Sequence, residues 1–86
     1  MKPECKIYPS GNKYWYLNGL FHREDGPAIE WVNGSKEWYL NGNLHREDGP
    51  TYEGINGHKE WYYHGKQIDC KDNQEFLRIV KLMAFL

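Results

Sequence analysis

Residues Ala28 to Pro50 run AIEWVNGSKEWYLNGNLHREDGP, and the reading of these 23 residues decides the fold. Ala28 to Val32 is a short apolar stretch ended by Asn33-Gly34, a pair that tolerates positive φ and marks a tight hairpin. Glu37 to Leu40 forms the return strand. Asn41-Gly42 and then Glu47 to Pro50 carry the chain onward. Pro50 has no N–H to give a ladder, so it belongs at a turn or a strand start.

The same string recurs on either side with a period of 23 residues: Cys5–Pro27, Ala28–Pro50 and Thr51–Asn73 align without a gap. Trp15, Trp38 and Trp61 fall in register, as do Tyr16, Tyr39 and Tyr62, and Lys13, Lys36 and Lys59. Blocks one and two share His-Arg-Glu-Asp-Gly-Pro, at 22–27 and 45–50; block three has Ile68 to Asn73 there, a changed last turn of the kind a terminal capping repeat shows. Block three repeats the hairpin with Tyr52–Ile55, Asn56-Gly57 and Glu60–Tyr63, and block one does so with Lys6–Tyr8, Ser10 to Asn12 and Tyr14–Leu17. The expected architecture is mainly β: an antiparallel meander of about six strands, three hairpin repeats over 5–73, and one C-terminal α-helix over 74–86. All of it is expected in one domain, 1–86, since a chain of 86 residues rarely supports two cores.

Alternation along the return strands sorts two faces. One carries Trp15/Leu17, Trp38/Leu40 and Trp61/Tyr63, and its apolar character predicts that it lies inside, with Ile29, Trp31 and Tyr52 filling between the tryptophans. The other carries Tyr14/Tyr16, Glu37/Tyr39 and Glu60/Tyr62 and is expected to be wet. A single sheet needs a cover, and the tail supplies one. Asp72 with Glu75 reads as a capping box, ahead of Phe76 to Leu86, where nine of eleven residues are apolar. The sheet is expected to absorb Phe76, Ile79, Val80 and Met83.

The totals narrow the function. With 11 basic and 12 acidic residues, a net charge of −1 leaves no basic excess for phosphates, so no nucleic-acid partner is expected. The run Phe76 to Leu86 is too short for the roughly 20 apolar residues of a membrane span, so no membrane partner is expected. Cys5 and Cys70, in a chain whose first ten residues carry no apolar export segment, read as reduced thiols and point to the cytoplasm.

No nucleophile stands beside a base in the sequence, and no G-x-x-x-x-G-K phosphate loop occurs; no enzyme activity is expected. No Cys-x2-Cys or His-x3-His pair occurs either, and no metal or cofactor is expected. His22 to Asp25 and His45 to Asp48 read as interhairpin corners, with Asp bonding local backbone N–H groups. An identical pair of copies does not suit a single active site.

Trp-Tyr-Leu-Asn-Gly followed by His-Arg-Glu-Asp-Gly-Pro-Ala resembles the variant class of the MORN repeat, the membrane occupation and recognition nexus repeat, across residues 5 to 68. The resemblance implies antiparallel hairpins stacked into an elongated binding scaffold, and a bacterial or phage origin, hence host cytoplasm if phage-encoded. It names no catalytic residues. The expected function is a non-catalytic protein-binding module, an inhibitor of a larger bacterial protein of the antitoxin-like or phage counter-defence kind. The alternative is a small-ligand or nucleotide-signal sequestering protein using aromatic pockets. Tyr16, Tyr39 and Tyr62 with Glu37 and Glu60 form the expected partner-binding platform, though cross-strand packing explains the same ladder. Leu77, Leu82, Phe85 and Leu86, left over by the sheet, are expected to pair two copies as a dimer through the helix.

Overall fold

Asn18-Gly19 and Asn41-Gly42 are the local features that cut the meander finer than two strands per repeat. In the computed structural model, which describes Lys2 to Ala84, Asn18 and Gly19 take φ of 54° and 79°, and Asn41 and Gly42 take 51° and 82°. Two successive positive φ values close a two-residue hairpin. The chain therefore folds back at once into a third short strand instead of drifting to the next block. His64-Gly65 does the same in block three, at 51° and 78°.

Each block thus contributes a first strand (β1 Glu4–Ile7, β4 Ile29–Glu30, β8 Tyr52–Glu53), a return strand and a short third strand. The return strands are β2 Lys13–Leu17, β9 Lys59–Tyr63 and, in block two, the two segments β5 Lys36–Glu37 and β6 Tyr39–Leu40. The third strands are β3 Leu20–Phe21, β7 Asn43–Leu44 and β10 Lys66–Ile68, so ten strand segments and one helix stand among the described residues. All pairings are antiparallel, and the main sheet runs β1-β2-β4-β5-β8-β9-β10, with β3 on β2 and a separate β6-β7 pair.

The loop at Asn33-Gly34 differs from the two-residue turn expected. Asn33 does not take a positive φ; Gly34 alone does, at 96°. Gly34 N–H donates to Trp31 C=O at 2.9 Å while Trp31 N–H donates to Ser35 C=O at 2.9 Å, the pattern of a three-residue loop ending in a bulge. Asn33 Oδ1 accepts from Ser35 N–H at 2.9 Å, which uses its side chain in place of a left-handed backbone. Tyr8/Gly11 and Gly54/Gly57 make the same turn bond one period away.

The helix, α1 Asn73–Met83, starts with one half of the expected capping box: Asp72 Oδ1 accepts Glu75 N–H at 2.8 Å, while Glu75 Oε1 accepts Lys71 N–H at 3.0 Å, one residue ahead of the cap. Eleven residues at 1.5 Å rise span about 16 Å, against a molecule 43 Å long. The helix covers block three and no more. Trp61, Ile68 and Phe76 form the buried cluster, with Tyr63, Cys70, Ile79, Val80 and Met83 against it.

This length limit corrects the two-face expectation. Trp15 and Trp38 stay half-buried, while Tyr14, Tyr16, Tyr39 and Tyr62 are half-buried too, not wet. Ile29 lies opposite Tyr14 and Glu37, and Tyr52 opposite Glu37 and Glu60, so both belong to the tyrosine face and do not fill between tryptophans. Trp31 stands on that face as well, its Nε1–H donating to Glu37 Oε2 at 2.7 Å.

Candidate functional site

The hexapeptide explains how two tryptophans do without a helix. His22 N–H donates to Trp15 C=O at 3.0 Å, which brings the chain back over its own block. Arg23 then lays its guanidinium 4.0 Å from the Trp15 ring centre, within the range of cation–π attraction. Its Nε donates to Asp25 at 2.9 Å, and its Nη1 donates to Pro27 C=O at 3.1 Å and to Glu30 of the next block at 3.2 Å. Arg46 repeats every contact on Trp38 (3.8 Å), Asp48, Pro50 and Glu53.

Beside these guanidinium groups, Asp25 and Asp48 are held below the usual carboxylate range. The aspartates thus answer arginine first, where bonds to local backbone were expected. The corner is a structural clamp between blocks. Among the described residues no group of three His, Cys, Asp or Glu is placed to hold a metal ion. Cys5 is an exposed free thiol, and Cys70 a half-buried one whose titration burial pushes up.

On the opposite face the aromatic residues form a connected strip. Tyr16 stacks on Phe21 with ring centres 5.0 Å apart, and Phe21 meets Tyr39 at 5.3 Å. Tyr14 joins Tyr8 at 4.9 Å, Trp31 at 5.8 Å and Tyr16 at 6.4 Å. The strip therefore brings Tyr16 and Tyr39 together through Phe21, which lies on β3 and outside the strands expected from the sequence. The signal was present: Asn18-Gly19 followed by two apolar residues is a hairpin with a short return strand. Tyr62 belongs to a separate pair with Glu60.

The expected carboxylates are engaged by their neighbours. Glu37 accepts Trp31 Nε1–H and the Tyr39 hydroxyl at 2.9 Å; Glu60 accepts the Tyr62 hydroxyl at 3.3 Å and lies 2.7 Å from His58 Nε2. Burial, reinforced by the Glu37 bond, pushes the Tyr39 phenol up to about 12. The Tyr62 phenol moves the same way, through burial and then the Glu60 charge. Such groups present ring faces and satisfied polar tips. Neither phenol ionises near neutrality.

Of the residues expected to join copies, Leu77 is 46% exposed and Leu82 64% exposed, while Phe85 and Leu86 lie outside the described residues. Near them is a mainly apolar cleft of about 240 Å³ between α1 and block two, lined by His45, Arg46, Tyr63, Phe76, Leu77 and Val80.

No helix is long and apolar enough to cross a membrane among the described residues. No family model, curated protein or solved structure matches the chain.

Proposed function

We propose that the chain is a non-catalytic, cytoplasmic protein-binding module of the MORN-variant kind, and that its partner docks on the tyrosine face. The partner is a larger bacterial protein that the module inhibits by occupying its surface. The observation that carries this reading is the Tyr8–Tyr14–Tyr16–Phe21–Tyr39 strip, a row of touching rings on the side of the sheet that the helix does not cover. Aromatic side chains in a rigid frame supply contact area with little loss of side-chain freedom, which is why they concentrate at binding hot spots. Glu37 and Glu60 hold the Tyr39 and Tyr62 hydroxyls, fixing those rings before any partner arrives.

The test is capture from a bacterial lysate on immobilised protein, with a Tyr16→Ala/Tyr39→Ala double variant alongside. A protein retained by the wild type and lost by the variant, at matched melting behaviour, supports the reading. Equal retention by both overturns the face. A melting temperature raised by a nucleotide, with no protein retained, favours the ligand-sequestering alternative.

A further inference from the structure

Glu30, Glu37, Glu53 and Glu60 are the half-buried carboxylates of the sheet, and all but one have a basic partner. Glu30 meets Arg23 Nη1 at 3.2 Å, Glu53 meets Arg46 Nη1 at 2.7 Å, and Glu60 lies 2.7 Å from His58 Nε2. Glu37 makes no ion pair among the described residues. The repeat explains the gap. Glu37 and Glu60 stand one period apart, and the position two residues earlier is Ser35 in block two but His58 in block three. Ser35 brings no charge.

Glu37 also lies at the centre of the tyrosine face. Along its row the facing positions run Lys6, Tyr14, Ile29, Glu37, Tyr52 and Glu60. Lys6, the lysine of that row, stands three strands away, about 14 Å at a strand spacing of about 4.8 Å. Trp31 Nε1–H donates to Glu37 Oε2 at 2.7 Å, and the Tyr39 hydroxyl donates to Oε1 at 2.9 Å. A carboxylate has about four acceptor positions. These two bonds therefore fix the group in an aromatic frame and leave each oxygen able to accept again.

We infer that Glu37 is the seat of an arginine from the docking partner, whose guanidinium bonds the carboxylate and lies against the rings around it. The inference rests on the proposed docking of a protein on the tyrosine face. Whatever covers that strip covers Glu37 as well, because Tyr39 belongs to the strip and its hydroxyl sits on the carboxylate. An apolar partner surface would strip water from a charge without a counter-ion, which is far less favourable than leaving it wet. A partner that brings a cation avoids this, so Glu37 selects basic surfaces and rejects purely apolar ones.

Guanidinium suits the place better than ammonium does. It is planar and weakly hydrated, gives a carboxylate two parallel N–H bonds, and stacks on aromatic rings. The chain makes the same combination within itself. Arg23 and Arg46 lie 4.0 Å and 3.8 Å over Trp15 and Trp38 while bonding Glu30 and Glu53.

The test titrates Nα-acetyl-arginine amide, its lysine analogue and its uncharged citrulline analogue into the full chain, at neutral pH and matched ionic strength. Proton–nitrogen NMR follows the Trp31 indole N–H, which reports directly on Glu37 and is assigned by its loss in Trp31→Phe. The arginine probe is expected to shift this signal saturably. The citrulline probe is expected to bind about ten-fold weaker, the difference that one charge-assisted hydrogen bond makes. Glu37→Gln is expected to weaken arginine binding by a similar factor. If melting curves show that variant to be poorly folded, the citrulline comparison decides alone, since it uses only the wild type. A Trp31 signal that ignores arginine, or that answers citrulline or lysine equally well, overturns the inference. The reading beneath it fails separately: equal lysate retention by wild type and Tyr16→Ala/Tyr39→Ala overturns the docking face. A captured protein lost by that double variant yet fully retained by Glu37→Gln overturns the arginine seat and leaves the docking face standing.

Discussion

Trp15 and Trp38 sit under an arginine, whereas Trp61 sits under a helix. The three tryptophans occupy the same register, yet only Trp61 reaches true burial, at 6% exposure beneath Phe76 at 3%. An arginine lid leaves the ring edge in water and ties the block to its successor through Glu30 or Glu53. A helix lid buries the ring fully and has no successor to tie. The difference teaches that the hexapeptide is a joining device. Its absence from block three goes together with the helix that replaces it.

The two junctions also differ at the far end. Between blocks one and two, Arg23 N–H donates to Tyr39 C=O at 3.1 Å, Gly42 N–H to Phe21 C=O at 2.8 Å, and Asn41 N–H to His22 Nδ1 at 2.9 Å. The His22 side chain is accordingly 9% exposed and that of His45 31%. Phe21 bridges Tyr16 and Tyr39 at the first junction. At the second, Leu44 holds its place in the sequence, and no ring among the described residues bridges Tyr39 to Tyr62.

The largest expected effect separates the two lids. Trp61→Ala should cost about 3–5 kcal/mol, since it opens a cavity under a helix that cannot follow. Trp38→Ala should cost about 2 kcal/mol, because a half-exposed ring gives up less transfer energy and a cation–π contact. Urea denaturation of both decides it, and equal losses would break the distinction. The next effect separates the junctions. His22→Ala removes the acceptor for Asn41 N–H and should cost about 1 kcal/mol, while the same change at His45 should stay within about 0.5 kcal/mol.

The smallest effect is a titration. The Tyr39 phenol, raised in the fold to about 12, lies above the ordinary tyrosine value near 10. Its contribution to stability is therefore fully present below that ordinary value and is lost as pH rises toward 12. Ultraviolet titration should show the highest phenolate step removed in Tyr39→Phe and shifted downward in Glu37→Gln. A wild-type curve unchanged by either substitution would deny the Glu37–Tyr39 bond any part in holding the face.

The repeat itself, the antiparallel order, the Asp72 cap and the left-handed glycines were legible from residues close to one another in the chain. Their causes are local: a positive φ needs Gly or Asn, and a cap needs an acceptor three residues before its donor. The helix stripe was equally legible, with Phe76 and Ile79 inward and Leu77 and Leu82 outward, because 3.6-residue periodicity is local as well. Which lid covers which tryptophan was not. That depended on Arg23 and Arg46 returning over rings eight residues earlier, and on a helix about 16 Å long meeting a sheet it could not span. Tertiary structure decided those matters, and with them that both faces of the sheet are half-buried and that Phe21 completes the aromatic strip.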